Sequence, residues 1–338
     1  MAPGGRWLES AWSHRGWVST LLLPLAALFS LLAGASRMSY RFGWRTPTRL
    51  PVPVIVVGNI TVGGTGKTPL VISLIEQLRR AGRHPGLISR GYRGRYSKEV
   101  SWAEVEGHDA TYYGDESVLV HARTGAPAAV GQARAQAAHE LLTLYQEIDV
   151  LVCDDGLQHY ALARDCEVAV VDDRGLGNGR RLPSGPLREG SDRLQQVDAL
   201  MFNGPIDATL AKQANVPTFS MTLKAQLAYQ LVAPGELRAL SEFQGQKLAA
   251  FAGIGAPERF FAMLRSEGLS FDAVPLPDHF DFRVNPFEGR SEDAFLITEK
   301  DAVKCWHLRD ARIWVAPVDA LIGEDFVSLV LEKISERN

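Results

Sequence analysis

The sequence predicts an α/β protein with a mostly parallel main sheet, followed by a second, smaller α/β unit. From residue 53 onward, apolar runs alternate with helical patterns, an order typical of a parallel sheet covered by helices. A glycine-rich turn separates the first apolar run from the first helical pattern. Near residue 215 the pattern changes to extended, exposed segments, which indicates a β-ribbon that joins the two units.

The bulk composition bounds the class of protein. The 338 residues suggest two domains, and the formal net charge of -3 argues against a general nucleic-acid binder. Cys153, Cys166 and Cys305 lie far apart without a C-x-x-C pair, so we expect neither a disulfide framework nor a zinc site. No obligate protein partner is evident from the sequence.

Three segments are predicted along the chain: an N-terminal membrane segment with a basic flank (1–45), a main domain (46–215), and the ribbon with the smaller α/β domain (216–338). In the main domain, helices are expected at 68–82 and 133–147, and strands at 53–59, 85–91, 98–106, 148–156, 166–173 and 197–204. In the smaller domain, apolar runs and one helical pattern occupy 247–255, 256–268, 293–301 and 311–317.

Residues 17–35 carry no charge, and 19 residues are about enough for a helix to cross a bilayer. Three interpretations stand: a cleaved signal peptide, a spanning helix, and a helix that dips into one leaflet. Only Arg6 and Arg15 precede the segment, partly offset by Glu9, so the positive-inside rule places the downstream side in the cytoplasm. We expect a retained N-terminal membrane helix. The basic residues that follow it are Arg37, Arg41, Arg45 and Arg49.

The turn at 61–68 nearly matches the phosphate-binding pattern G-x-x-x-x-G-K-[ST], except that Thr61 replaces the first glycine. Its place between a predicted strand and a predicted helix is the context that the pattern requires. Lys67 would reach the β and γ phosphates of a nucleotide, and Thr68 would bind Mg²⁺. The alternative is a turn that only caps a helix. The predicted nucleotide-binding residues are Thr61, Val62, Gly63, Gly64, Thr65, Gly66, Lys67 and Thr68.

Asp154 and Asp155 end the apolar run at 148–156, where a phosphate loop needs a metal-side carboxylate. Since adjacent strand residues point to opposite faces, we expect one of the two to face the metal, without deciding which. Two relatives with phosphate loops are disfavoured. Val62 stands where the deviant partitioning ATPases carry lysine, and no N-K-x-D run is present to recognise guanine.

A series of eight motifs in one order resembles the tetraacyldisaccharide 4'-kinase family, the lipid A 4'-kinases of Gram-negative bacteria. The resemblance runs from the N-terminal segment to about residue 335. The motifs are VGNITVGGTGKTP (57–69), SRGYRG (89–94), GDES (114–117), DDGLQH (154–159), GNGRRLPSGPLRE (177–189), GIGAPERFF (253–261), PDHF (277–280) and TEKDAVK (298–304). Ser117 and Ser184 depart from the residues usual at their positions, and neither is a proposed catalytic group.

The resemblance implies transfer of the γ-phosphate of ATP to the 4'-hydroxyl of a tetraacyldisaccharide 1-phosphate lipid, which gives lipid IVA. It also implies two α/β domains with the site in the cleft between them. The location would be the bacterial inner membrane, with the active site facing the cytoplasm. ATP and Mg²⁺ are the expected cofactors, and the partners are the lipid substrate and the membrane, with no nucleic acid.

The resemblance also implies roles for single residues. Asp115 would be the base, supported by His279, and Glu116 would lie near the metal with Thr68 and one of the two Walker-type aspartates. Taken alone, Asp115 is as well explained as the N-cap of a helix, and His279 as an ordinary surface histidine. Substrate contacts are expected from Gln158, His159, Asn178 and Arg188, the last two in an arginine- and glycine-rich loop at 174–193 suited to an anionic headgroup.

Two other classes of function compete with the lipid kinase. A membrane-anchored P-loop ATPase that drives assembly or transport would use the same loop but release free phosphate. A nucleotide-binding protein without turnover would tolerate the loss of Asp115 and His279.

Overall fold

The structure is a computed structural model, and it describes residue 12 and residues 14–96, 102–107 and 109–337. The predictions made for Arg6 and Glu9, and for the first part of the strand at 98–106, lie outside the described residues.

The N-terminal segment forms two helices, α1 (Trp17–Leu21) and α2 (Leu23–Arg41), which meet at Leu22. The prediction of one membrane-length helix over 17–35 is therefore wrong. Pro24 lies in the first turn of α2, where a proline is tolerated, and proline disfavours continuous helical backbone just before it. In the part of the chain that the structure describes, no helix is both long and apolar enough to span a membrane.

Among the described residues of the main part of the chain, eight strands follow, and all but one run parallel. In chain order they are β1 (Val54–Gly58), β2 (Pro85–Ser89), β3 (Ala103–Glu104), β4 (Ala128–Val130), β5 (Val150–Asp154), β6 (Cys166–Asp172), β7 (Ala199–Asn203) and β8 (Thr218–Ala225). They are ordered β8-β7-β6-β1-β5-β2-β4-β3, with β3 antiparallel at the edge. The predicted parallel sheet is confirmed, although β3 is shorter than the predicted strand.

Helices cover both faces of this sheet, as in doubly wound α/β proteins. They include α3 (Lys67–Arg80), α4 (Ala110–Tyr113), α5 (Asp115–Thr124), α6 (Arg134–Leu144) and α7 (Ala208–Ala214). Buried apolar residues of α3 and α5 pack on one face of the sheet and those of α6 and α7 on the other, which makes two cores.

A second sheet of six strands is built from the later part of the chain. The strands are β9 (Ala228–Gln230), β10 (Ala233–Arg238), β11 (Leu248–Ala252), β12 (Asp272–Pro275), β13 (Ala294–Thr298) and β14 (Ile313–Ala316). Their order in the sheet is β10-β9-β14-β13-β11-β12. The central strands are parallel, and α8 (Pro257–Ser266) and α9 (Glu299–Cys305) connect them.

The C-terminal segment returns to the larger sheet, which the sequence did not indicate. β15 (Val318–Leu321) pairs antiparallel with β8, and α10 (Glu324–Ser335) packs into the core under the larger sheet. The larger sheet therefore contains strands from both sides of residue 215, including β8 and β15. The domain boundaries stay a prediction, but β8 and β15 together make the two-stranded connection between the sheets.

Candidate active site

The phosphate loop leaves β1 and runs to the start of α3. Thr61, at the position of the missing first glycine, forms an antiparallel bridge with Leu187 and is buried. Its φ is not among the positive values in this loop, so no glycine is required there. The departure from the pattern therefore leaves the loop geometry intact.

Glycine is required at Gly66, where the loop becomes a helix. Its φ is +89°, and a Cβ at this position would lie 2.5 Å from Asn203 Nδ2. Gly63 has a φ of +98°, and a Cβ there would lie 2.9 Å from Arg174 Nη1. Backbone of this kind exposes N–H groups to a ligand without steric hindrance.

The N-terminus of α3 has no side-chain cap, so its first N–H groups are available to an anion. Lys67 Nζ lies 3.2 Å from Asn59 Oδ1 and 3.4 Å from Asp155 Oδ1, so its charge is held at the loop. Thr65 Oγ1 is buried, and it has no hydrogen-bond partner among the described residues. An uncapped helix end, a held lysine and an unpartnered hydroxyl fit a phosphate group.

Asp154 and Asp155 diverge where β5 ends. Asp154 is the last strand residue, whereas Asp155 has a φ of +49°, which turns the chain away from the strand. Both carboxylate oxygens of Asp155 accept from Arg188 Nη1, at 3.0 and 2.9 Å. The positive charges of Lys67 and Arg188 outweigh the effect of burial and hold the pKa of Asp155 far below its usual range.

Asp154 is completely buried, and its Oδ1 has no hydrogen-bond partner in the described structure. Burial raises the pKa of Asp154 to about 7, and the negative charge of Glu116 adds to the effect. A buried carboxylate with an unpartnered oxygen and a second negative charge nearby suits a cation ligand. Within the described ranges no group of three or more His, Cys, Asp or Glu side chains is arranged to hold a metal ion.

Asp115 and His279 meet across the two sheets. His279 Nδ1 lies 2.7 Å from Asp115 Oδ2, and Asp115 Oδ1 accepts from the Glu116 N–H at 3.1 Å. Asp115 is the first residue of α5 and Gly114 is the N-cap, so the N-cap interpretation of Asp115 is wrong. A surface position for His279 is also excluded, because its side chain is only 10% exposed.

Lys300, at the start of α9, was missed by the motif-based assignment of roles. Its Nζ donates to Glu116 Oε1 at 2.9 Å and lies 3.9 Å from Asp115 Oδ2. Burial disfavours the charge on Asp115, but the hydrogen bond from His279 and the charge of Lys300 outweigh it and lower the pKa of Asp115. Asp115 is therefore an ionised carboxylate at neutral pH.

The backbone holds His279 in place through a chain of hydrogen bonds. The His279 N–H donates to the Gly253 carbonyl at 2.9 Å, and the Gly253 N–H donates to Asp301 Oδ2 at 2.9 Å. Asp301 is fully buried and also accepts from Thr298 Oγ1 at 2.8 Å. The PDHF, GIGAPERFF and TEKDAVK motifs therefore meet here, which explains why they occur together.

The four expected substrate-binding residues lie in two places. Gln158 Nε2 donates to the Asn59 carbonyl at 3.1 Å and to Glu189 Oε2 at 2.9 Å, and Arg188 pairs with Asp155, so both lie beside the phosphate loop. His159 directly follows Gln158 in the chain; burial and nearby arginines lower its pKa to about 4, so its side chain is neutral at pH 7.

Asn178 lies elsewhere. Its side chain is buried and donates to Ser19 Oγ and to the Ser184 carbonyl, both at 3.0 Å, so it joins α1 to the arginine-rich loop. The structure thus leaves the expected substrate contact of Asn178 without support. Sequence alone does not reveal this role, because the partner lies 159 residues away.

Most arginines of the loop at 174–193 are already paired. Arg193 binds Glu167, Arg180 donates to Ser19 and Thr20, and Arg174 binds Asp172. Guanidinium groups that are paired within the protein stabilise the loop itself. The loop is therefore less suited to bind an anionic lipid headgroup than its arginine content suggests.

A second arginine reaches the phosphate loop from the other sheet. Arg259, in the first turn of α8, bonds Asp172 Oδ2 at 2.9 Å and lies 3.5 Å from the Gly64 carbonyl oxygen. Arg174 Nη2 donates to the same carbonyl at 2.9 Å. Arg259 lies within the GIGAPERFF motif, and this motif is the feature of the sequence that could have indicated a place for Arg259 at the site.

The loops after the parallel strands of both sheets therefore meet at one place, the position at which α/β sheets bind their ligands. On one side are the phosphate loop, Asp154 and the start of α5. On the other are His279, Arg259 and Lys300. The fold and the site define a P-loop nucleotide-binding protein with a carboxylate–histidine pair beside the phosphate position.

Comparison with known proteins identifies the family. The sequence model of tetraacyldisaccharide-1-P 4'-kinase matches residues 18–335. A tetraacyldisaccharide 4'-kinase of Bordetella petrii is 46% identical over 322 residues, covering 93% of this chain and 90% of that protein. One of Herminiimonas arsenicoxydans is 46% identical over 343 residues, with 96% and 94% covered. The chain belongs to the tetraacyldisaccharide-1-P 4'-kinase family.

A solved structure supports the fold. The crystal structure of an "apo" form of LpxK from Aquifex aeolicus in complex with ATP aligns with a TM-score of 0.76. The alignment covers 94% of this chain and 99% of that chain at 24% sequence identity. The two-sheet α/β architecture is therefore that of the family.

Proposed function

We propose that this kinase transfers the γ-phosphate of ATP to the 4'-hydroxyl of a tetraacyldisaccharide 1-phosphate lipid, giving lipid IVA. The single observation that carries the proposal is the 2.7 Å contact between His279 and Asp115, which joins the two sheets beside the phosphate loop. Family membership supplies the substrate, and the pair supplies a base for a hydroxyl acceptor.

The nucleotide phosphates lie against the loop at 61–68 and the uncapped start of α3. Asn59 and Asp155 hold Lys67 at the loop, so the ammonium group is positioned where the phosphates would bind. Binding then replaces contacts with these side chains by contacts with phosphate oxygens. Preorganised positive charge of this kind is the main contribution of a phosphate loop to catalysis.

Asp154, Glu116 and Thr68 are the residues that would hold Mg²⁺, because Asp154 has an unpartnered buried oxygen and an unfavourable carboxylate neighbour. One or two carboxylates suffice to bind Mg²⁺ in proteins, because the ion takes its remaining ligands from phosphates and water. Asp155 is the weaker candidate of the two aspartates, since Arg188 occupies both of its oxygens. When bound, Mg²⁺ neutralises charge on the triphosphate.

Asp115 is the base. With its carboxylate ionised, His279 Nδ1–H donates to Oδ2, and Oδ1 is the oxygen that accepts the proton of the 4'-hydroxyl. The hydroxyl oxygen forms its bond to the γ-phosphorus as the bond to the β–γ bridging oxygen breaks, and ADP leaves with that electron pair. His279 orients the carboxylate and stabilises its charge before the transfer.

We infer that the N-terminal helices bind the membrane that holds the substrate. Leu25, Leu28 and Leu32 share one face of α2 and are 56%, 55% and 66% exposed, an apolar surface that a bilayer interface would cover. The hydrogen bonds between Ser19 and Ser184 fix α1 to the body of the protein. We therefore place the enzyme at the bacterial inner membrane, lying on the surface that faces the cytoplasm.

The experiment that tests this function follows γ-labelled ATP with the detergent-purified protein and the disaccharide 1-phosphate lipid. We expect label in the lipid for the wild type and a loss on the order of 10²-fold or more for Asp115→Asn. Label recovered only as free phosphate would make the protein an ATPase instead and would reject the lipid kinase.

A further inference from the structure

Arg259 extends from the unit built on the smaller sheet to the phosphate loop on the larger sheet. It lies in the first turn of α8, and its Nη1 is 3.5 Å from the Gly64 carbonyl oxygen. Gly64 is an exposed residue in the middle of the loop, three positions before Lys67. The guanidinium group therefore lies at the mouth of the loop, where a nucleotide's phosphates must enter.

The loop that carries Arg259 is packed against the phosphate loop itself. A Cβ added at Gly255 would lie 3.9 Å from the Gly64 nitrogen and 3.9 Å from Asp278 Oδ2. Asp278 precedes His279, the partner of Asp115. The same contact between the two units thus brings Arg259 to the phosphates and His279 to the base.

Two arginines share Asp172, but they are held differently. Arg174 binds Asp172 through both its Nε and its Nη2, at 2.9 and 2.7 Å. This two-point contact fixes the orientation of the guanidinium plane of Arg174. Arg259 contacts Asp172 through Nη2 alone, at 2.9 Å, and its other ionic partner is Asp173, which is 72% exposed. An ion pair with so exposed a carboxylate is weak, so Arg259 can leave Asp173 at little cost.

We propose that Arg259 is a further catalytic residue, which leaves Asp173 and donates hydrogen bonds to the terminal phosphate of bound ATP. This inference rests on the proposed function for the identity of the nucleotide. Guanidinium presents two parallel N–H groups to phosphate oxygens, and an arginine supplied from a second unit stabilises a transferring phosphoryl group. Arg259 gives up no proton in this step. The hydroxyl proton goes to Asp115, and the electron pair of the broken bond goes to ADP.

The first test measures nucleotide affinities by calorimetry, with a non-hydrolysable ATP analogue and with ADP. Because Arg259 contacts only the terminal phosphate, the wild type should prefer the analogue, and Arg259→Gln should lower that preference about 10-fold or more while ADP affinity changes less than about twofold. Arg259→Lys should recover little of it, since an ammonium group lacks the planar fork.

Two control variants keep the test decisive. Arg265→Gln changes an arginine in the last turn of the same helix, stacked on Phe271, and should leave both affinities unchanged. Asp173→Asn removes the exposed partner without altering Arg259, and should keep or increase the preference for the analogue. An unchanged preference in Arg259→Gln, a parallel loss of both affinities, or a lost preference in Asp173→Asn would overturn the inference.

The second test separates this inference from the proposed function. In the label-transfer assay, Arg259→Gln should lower kcat on the order of 10²-fold or more, with a smaller change in the KM for the lipid. If the wild type labels no lipid but its preference for the analogue still depends on Arg259, the proposed function fails and the role of Arg259 stands. If lipid is labelled at an unchanged rate by Arg259→Gln, the role of Arg259 fails alone.

Discussion

At the scale of the residue, the two adjacent aspartates at the end of β5 have different roles because one backbone angle separates them. The sequence predicts that one of them faces a metal but cannot say which. The φ of +49° at Asp155 directs its carboxylate to Arg188 and leaves Asp154 buried with an unpartnered oxygen. Neither composition nor periodicity predicts this positive φ, because aspartate also occurs at strand ends with ordinary backbone angles.

The buried carboxylate of Asp154 should make the metal-free protein less stable as the pH rises. Its pKa is raised to about 7 in the folded state and is near 3.8 in the unfolded chain. The folded state therefore binds more protons between these values, and its stability falls from about pH 4 to about pH 7. Asp154→Asn removes this loss, so we expect its Tm advantage over the wild type to grow across that range.

Thermal unfolding in the presence of a chelator, at pH 5 and at pH 8, measures this difference. Asp155→Asn is the matched control, because it breaks the pairs with Arg188 and Lys67 and should lower Tm at both pH values. An Asp154→Asn advantage that is the same at both pH values would show that the carboxylate is not ionising in this range.

At the scale of the element, the N-terminal helices show both the strength and the limit of sequence patterns. The uncharged run at 17–35 correctly predicts helix, but the break at Leu22 comes from Pro24 and from tertiary hydrogen bonds of Ser19 and Asn178. Apolar content alone does not distinguish a helix that spans a bilayer from one that lies on it. The exposed leucine face of α2 is the structural feature that favours the second.

Replacing Leu25, Leu28 and Leu32 by serine should weaken binding to vesicles that contain anionic lipid by at least about 10-fold. The reason is loss of buried apolar area, at roughly 25 cal/mol per Å². Affinity for ATP should not change, because these leucines are exposed on α2 and form no part of the phosphate loop. Vesicle co-sedimentation and calorimetry measure the two quantities.

The control for that variant is Leu144→Ser, which removes a leucine 55% exposed at the end of α6. It should bind vesicles like the wild type. Equal loss of vesicle binding in both variants would show that general surface hydrophobicity, and not α2, holds the protein to lipid.

At the scale of the whole molecule, the site depends on how the two sheets are joined. The repeated strand and helix patterns predict the two units, and the phosphate loop predicts one edge of the site. The return of β15 and α10 to the larger sheet was not predicted, because a four-residue strand after Pro317 carries too weak a pattern. The positions of Lys300 and Arg259 beside the site were also not predicted, since charged residues at helix starts look alike on any surface.

An ion-pair cluster at the joint of the two units should contribute strongly to stability. Arg123 of α5 donates to Glu299 of α9 at 2.6 Å and also binds Asp319 of β15. Arg123→Met would leave Glu299, whose side chain is 7% exposed, without its partner. We expect the free energy of unfolding to fall by about 3–5 kcal/mol, measured by urea denaturation.

The double variant Arg123→Met/Glu299→Gln tests the cause, because it removes both buried charges. It should recover a large part of the loss, as expected when an unpaired buried charge is the main cost. Additive losses in the double variant would mean that packing at the joint, and not the charge on Glu299, accounts for the effect.

The most direct test of the central claim is a double-mutant cycle on Asp115 and His279, read as kcat for phosphoryl transfer to the lipid. If the two residues act as one unit, Asp115→Asn alone should lower kcat on the order of 10²–10⁴-fold, and adding His279→Ala should lower it little further. Independent effects that multiply in the double variant would contradict the proposal that this pair, assembled from both units, activates the acceptor hydroxyl.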